Sequence, residues 1–224
     1  MSVKGVLLDF DGTVGNTANL ILTSFRLATQ DVMGKVFPDE VYIKTFGLPL
    51  VRCMELVAEK PEQVDPLLRV YREFNISNHD RLITIFPGVR EALQELKGRG
   101  IRVAIVTSKK RALCQRGLDV LGLSSYIDVL VSCDELTRSK PAADPMLKGA
   151  QALGLQPEEC LCVGDSYFDL QSGHNAHCAA NIGVSYSFLP LEELQEKGQP
   201  EFIVDDLREL LVVIDKLNQK SLEV

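Results

Sequence analysis

The chain of 224 residues has no apolar run near the ~20 residues a membrane-spanning helix needs. Its first residues show no basic segment followed by a long apolar core, so nothing there reads as a secretory signal. Both absences set the expectation of a cytoplasmic protein with no membrane partner. Cations are not in excess: 24 Lys and Arg stand against 31 Asp and Glu, a formal charge of -7, and the basic residues are scattered. That argues against a nucleic-acid surface. It also means that an anionic ligand would need local cations, because the overall field repels it. No Cys-x-x-Cys pair is present among Cys53, Cys114, Cys133, Cys160, Cys162 and Cys178, so a zinc knuckle is excluded. Several of these cysteines sit in apolar runs, as in Cys160-Leu161-Cys162-Val163, and read as buried reduced thiols. His174, His177 and Cys178 lie close in sequence but lack a fourth ligand, and the surface of a helix end is the expected reading. No internal repeat or low-complexity stretch is visible.

What is present is the composition of a globular protein, 46% apolar and 25% charged, long enough for one large domain or a domain with an insert. Apolar runs suited to buried strands fall at residues 3–9, 102–106, 129–131, 160–163, 179–184 and 201–204. Helical spacing falls between them, at 89–97, 110–121, from Asp144 to Gly154, at 167–175 and at 207–217. Asp144 reads as a cap with Pro145 in the first turn. Strand–helix alternation of this kind predicts an α/β fold, a doubly wound parallel sheet of Rossmann-like form. Residues 15–82 differ. Ile21, Phe25, Ala28 and Val32 mark a helix over 17–33 that Thr17 could cap, and shorter helical pieces follow at 39–46, 50–59 and 66–78, with Gly47, Pro49, Pro61 and Pro66 as breakers. No strand is expected there. The predicted division is a core of residues 1–14 and 83–224 with a helical insert at 15–82.

Four short segments fall at predicted C-terminal strand ends, where ligands of open α/β sheets bind. They are Asp9-Phe10-Asp11-Gly12-Thr13, Thr107-Ser108, Lys140-Pro141, and Gly164-Asp165-Ser166-Tyr167-Phe168-Asp169. These residue types suit phosphoryl transfer. Asp9, Asp165 and Asp169 can hold Mg²⁺, which prefers hard oxygen ligands. Lys140 adds a fixed positive charge. Thr107, Ser108 and backbone N–H groups, those of Gly12 and Thr13 among them, can hold phosphate oxygens. An aspartate can attack phosphorus, and a second carboxyl, Asp11, can protonate the leaving group and then activate water. The bland reading of Asp9 and Asp11 is a solvated turn, and Asp169 can equally be a structural or capping carboxylate. The run Lys109-Lys110-Arg111 could attract a substrate phosphate; such a run is more often a solvated helix face, although Lys109 lies nearest the site. The segment Phe46-Gly47-Leu48-Pro49-Leu50, with Arg52, is either a substrate-facing loop or a plain turn.

Asp9-Phe10-Asp11-Gly12-Thr13-Val14, Thr107, Lys140-Pro141 and Gly164-Asp165-x-x-x-Asp169 resemble, in order, the four motifs of the haloacid dehalogenase (HAD) superfamily. The resemblance implies Asp9 as nucleophile and Asp11 as acid/base with its main-chain carbonyl on Mg²⁺. It implies Thr107 and Lys140 on the phosphate, and Asp165 as metal ligand supported by Asp169. It also implies that 15–82 is a C1-type cap, hinged near Gly12–Gly15 and Arg81–Gly88. Gly15-Asn16-Thr17, Phe86-Pro87-Gly88-Val89, Val106-Thr107-Ser108-Lys109 and Asn175-Ala176 bring the likeness nearest to the phosphoglycolate phosphatase group and its pyrophosphatase relatives. Val14 and His177 depart from it, at positions where Leu and Gly are commoner. The function implied is a Mg²⁺-dependent phosphatase acting on a small phosphate monoester. Its partner is a small phosphorylated metabolite or pyrophosphate, and the enzyme is a monomer or homodimer. Alternatives are an inorganic pyrophosphatase, a mutase of the β-phosphoglucomutase type, and, from a different class, a non-catalytic phospho-acceptor switch. A receiver-type switch is shorter and lacks Asp-Gly-Thr, a dehalogenase lacks the second aspartate, and a pseudoenzyme would not keep every reactive residue type.

Overall fold

A computed structural model describes residues 2–220 of the chain. Its elements, in order, are β1 (Gly5–Leu8), β2 (Gly15–Asn16), α1 (Ala18–Met33), α2 (Asp39–Ile43), α3 (Leu50–Val57), α4 (Val64–Leu82), β3 (Thr84–Ile85), α5 (Val89–Gly98) and β4 (Arg102–Thr107). There follow α6 (Arg111–Val120), β5 (Val129–Ser132), α7 (Asp144–Leu153), β6 (Cys160–Gly164), α8 (Tyr167–Asn175), β7 (Ala180–Val184), α9 (Leu191–Gly198), β8 (Phe202–Val204) and α10 (Leu210–Lys220).

Six strands form one sheet in the order β5-β4-β1-β6-β7-β8, and every neighbouring pair is parallel. The apolar runs explain this. A strand covered by helices on both faces needs hydrophobic residues at successive positions. Val6 and Leu8 join Leu93, Leu96, Leu210 and Ile214 on one face. Leu7 turns to the other, against Met146, Ala150 and Leu153. There α7 comes close enough that a Cβ on Gly149 would lie 2.9 Å from Val106. The register aligns the central strand ends: Leu8 lies opposite Ile105 of β4 and Val163 of β6. The residues just beyond them are therefore delivered to one edge of the sheet.

The helices α1 to α4 gather a separate core around Phe25, Tyr42, Met54, Leu67 and Tyr71. Phe25 stacks on Tyr42 at 5.2 Å and meets Tyr71 edge-on at 5.0 Å. A short antiparallel ribbon unites the two links into this block, with Gly15 opposite Ile85 and Asn16 opposite Thr84. No strand was expected at Gly15, and two residues are too few to show a period.

Other details also differ from the sequence-based expectation. Helix α4 runs over 19 residues, and Pro66 lies inside its first turn, where a missing N–H costs nothing. Thr17 stands at the N-cap of α1 without a side-chain capping bond. Asp144 is the first helical residue of α7, after an Ala143 cap, and pairs with Arg138. No helix among the described residues is long and apolar enough to cross a membrane.

Candidate active site

The chain turns sharply after β1. The N–H groups of Val14 and Gly15 both reach the carbonyl of Phe10, at 3.0 and 2.7 Å, and the N–H of Gly12 donates to the carbonyl of Gly15. Gly12 has φ +85°, and a Cβ there would sit 2.0 Å from a carboxylate oxygen of Asp165. Only glycine combines that backbone with so close an approach. The turn holds Asp9 against the end of β6, where its N–H donates to the carbonyl of Val163 at 3.0 Å.

From the loop after β5, Lys140 reaches inward with its side chain only 2% exposed. Its Nζ donates to Asp9 Oδ1 at 2.9 Å and also to Asp169 Oδ1. The other oxygen of Asp169 accepts the N–H of Ser166, while the Ser166 hydroxyl accepts the N–H of Phe168. This reciprocal cap starts α8 and fixes Asp169. Asp165 is held differently, by the Ser187 hydroxyl donating to Oδ2 at 2.6 Å. Asp11 faces Lys109, whose Nζ lies 2.8 and 3.2 Å from the two carboxylate oxygens and 5.6 Å from the Phe10 ring centre. At the end of β4, Thr107 Oγ1 accepts the N–H of Lys109, and the Ser108 hydroxyl donates to the carbonyl of Gly47 at 2.8 Å.

Three carboxylates have been taken out of water here, with one ammonium among them. The Asp9 carboxyl is raised to about 7, chiefly by burial; Lys140 opposes the rise, and Asp169 and Asp11 add to it. Burial likewise holds Asp165 well above the usual carboxylate range, with Asp169 and Asp9 adding to it. For Lys140 burial alone would favour the neutral amine, but Asp169 and Asp9 outweigh it and the pKa is raised. Oxygens of Asp9, Asp165 and Asp169 lie within 4.8 Å of one another. A buried, undercompensated set of hard oxygen donors is the kind of site a divalent cation such as Mg²⁺ takes. The side chain of Asp11 lies outside this triad, on Lys109.

Above the carboxylates is a cavity of about 510 Å³, bounded by Asp9, Asp11, Gly12, Thr107, Ser108 and Asp165 on the sheet side. Lys140 and Asp169 do not line it; they stand behind Asp9. Thr13 is also absent from its wall: the residue is fully buried, and its carbonyl accepts the Tyr186 hydroxyl at 2.8 Å. Arg52 is outside the cavity altogether, with its side chain 63% exposed and paired with Glu55. Lys109 reverses the expectation of a solvated face, being 8% exposed and bound to Asp11. Ser187 and the aromatic pair Phe46–Phe188, with ring centres 5.3 Å apart, were not singled out in the sequence as a fixed set. Histidine 174 shows no metal-site arrangement: its ring bonds to Asn181 and to the carbonyls of Gly198 and Gln199.

Comparison with known proteins agrees with this geometry. The family profile of haloacid dehalogenase-like hydrolases matches residues 6–182. A protein of Clostridium perfringens, provisionally named pyrophosphatase PpaX, is 37% identical over 96% of this chain and 99% of its own. Pyrophosphatase PpaX of Bacillus cereus (strain AH820) is 34% identical over 98% of this chain and all of its own. Among solved structures, that of a predicted phosphoglycolate phosphatase from Haemophilus somnus 129pt superposes with a TM-score of 0.86 at 23% identity, covering 95% of this chain and 98% of the other. The sheet, the convergence of four strand-end segments and these matches give one conclusion: the chain belongs to the haloacid dehalogenase-like hydrolase family.

Proposed function

We propose that the protein is a Mg²⁺-dependent phosphatase that hydrolyses a small phosphate monoester through an aspartyl-phosphate on Asp9. The observation that carries this reading is the pairing of two unlike aspartates at the cavity floor. Asp9 is fixed by Lys140 from behind, and Asp11, two residues on, is held apart on Lys109. An oxygen of Asp9 attacks phosphorus, and the bond from phosphorus to the leaving oxygen breaks. The leaving oxygen takes its electron pair and a proton from Asp11. Asp11 then takes a proton from water as the water attacks the same phosphorus and releases Asp9. The backbone N–H of Asp11 and the Thr107 hydroxyl, in residues that line the cavity, are the groups offered to phosphate oxygens, whereas the N–H groups of Asp9 and Gly12 are already engaged by the carbonyls of Val163 and Gly15. Asp9 and Asp165, supported by Asp169, would hold Mg²⁺, which when bound offsets the repulsion between a carboxylate and a phosphate dianion.

Under the same reading the helical block 15–82 is a cap. Its support is the contact of the Phe46–Leu50 loop with the core, through Ser108 on the Gly47 carbonyl and Phe188 against Phe46. The names of the PpaX relatives favour a second reading, inorganic pyrophosphate as substrate. The test is phosphate release with Mg²⁺ from 2-phosphoglycolate and from pyrophosphate side by side, with Asp9→Asn as blank. Release from monoesters above pyrophosphate supports a monoesterase; the reverse order supports a pyrophosphatase.

Two consequences concern the metal. In the metal-free fold Asp9 holds its proton up to about 7, so it favours folding at low pH and loses that contribution as pH rises through 7. Mg²⁺ competes with that proton. Calorimetry should therefore show a larger rise in Tm on adding Mg²⁺ at about pH 8 than at about pH 5, and equal shifts would count against the triad as the site. Ser187→Ala removes the group that orients Asp165. Titration calorimetry is expected to show Mg²⁺ affinity falling by about 10–100-fold, the usual cost of losing such a supporting bond.

A further inference from the structure

The cavity above the carboxylates is larger and more apolar than the phosphoryl group requires. Its volume of about 510 Å³ falls in the ~300–1,000 Å³ range of pockets that enclose organic ligands. Ile21 and Phe25 of α1 form part of the wall, Phe46 and Leu48 come from the loop before α3, and Phe188 and Leu189 from the loop after β7. Lys109 and Arg116 also line the cavity, but Lys109 is paired with Asp11 and Arg116 with Asp80. Arg72 and Lys110 remain for a polar or charged substituent. A second phosphate would meet at most these two cations in a wall that is mostly hydrocarbon, and a glycolate group would leave most of the volume to water.

We infer that the substrate is a phosphate monoester whose leaving group carries an apolar body of about the size of one ring, seated among Phe25, Phe46, Leu48 and Phe188. The inference rests on the phosphatase reading and adds the class of leaving group to it. Apolar surface removed from water by such a body stabilises the bound state in proportion to its area, so each added methylene has a measurable effect. The wall is built from both the helical block and the core, so the pocket is complete only with Phe46 against Phe188.

The test is a series in which the leaving alcohols have similar acidity, so that intrinsic reactivity varies little: ethyl, butyl and benzyl phosphate, beside 2-phosphoglycolate and pyrophosphate, all with Mg²⁺. The expected result is a rise in kcat/KM of about three- to fourfold per methylene from ethyl to butyl. Benzyl phosphate is expected to exceed both 2-phosphoglycolate and pyrophosphate by about tenfold or more, on the order of what one buried ring supplies. Calorimetric Kd values for ethyl-, butyl- and benzylphosphonate, which are not hydrolysed, should follow the same order. Phe46→Ser should reduce the benzyl-to-ethyl ratio, and the wild-type series decides the matter if that variant does not fold. A flat series, or a preference for pyrophosphate or 2-phosphoglycolate while simple esters are still hydrolysed, overturns the inference and leaves the phosphatase reading standing. No Mg²⁺-dependent release from any monoester overturns both.

Discussion

Lys140→Ala is expected to destabilise the fold by about 3–5 kcal/mol, the range found when one partner of a buried ion pair is removed. The lysine is enclosed with Asp9 and Asp169 and donates to both. Without it the two carboxylates keep their desolvation and mutual repulsion and lose the buried cation that bonds both. The loss should depend on pH. Asp9, whose carboxyl already sits at about 7, will move further up in the variant and fold in its neutral form at lower pH. The difference from wild type should therefore be largest above about pH 8 and shrink towards about pH 5. Denaturant unfolding at the two pH values measures it. Lys140→Met, which keeps most of the volume, should behave like the alanine variant. If the methionine variant is as stable as wild type at both pH values, packing rather than charge holds this position.

Asp9→Asn is expected to lower phosphate release by on the order of 10⁴-fold or more, as loss of an attacking group does. The amide has the same shape but is a far weaker nucleophile. It also removes one negative charge from a crowded, buried set, and Lys140 keeps Asp169. Stability should consequently change little while activity is lost, and measuring both on the same preparation separates this outcome from misfolding. The matching change at Asp11 should be milder, in the range of about 10²–10⁴-fold that proton transfer contributes, because in the proposed mechanism Asp11 moves protons and does not form the bond to phosphorus.

Much of this architecture was legible from residues alone. The strands at residues 5–8, 102–107 and 160–164 are near-continuous apolar runs; Asp9, Asp11, Thr107 and Asp165 stand at or just beyond strand ends, Asp169 is in the first turn of the helix that follows, and Lys140 comes from the loop after β5. A parallel sheet then brings these ends to one edge, because Leu8 pairs with Ile105 and Val163, each close to the C-terminal end of its strand. What stayed hidden depends on long-range placement. Lys109 looked like part of a solvated basic run, and only the turn after β1 brings Asp11 beneath it. Ser187 is an ordinary serine in a loop until that loop crosses Asp165. Arg52, chosen for its charge near a Gly-Pro loop, points away because α3 presents its opposite face to the cavity, with Cys53 on the wall. Pro66, read as the start of a helix, lies in the first turn of α4, which begins at Val64.

The proposed reaction passes through a covalent bond between phosphorus and Asp9. Its most direct test is a single turnover of a phosphate monoester with Mg²⁺, quenched in acid and mapped by peptide mass spectrometry. The expected result is one phosphoryl group, absent from the Asp9→Asn variant, on the peptide that contains Asp9 and Asp11, with fragmentation assigning it to Asp9. Phosphate carried by any other residue, or full turnover with no trapped peptide at any quench time, would contradict it.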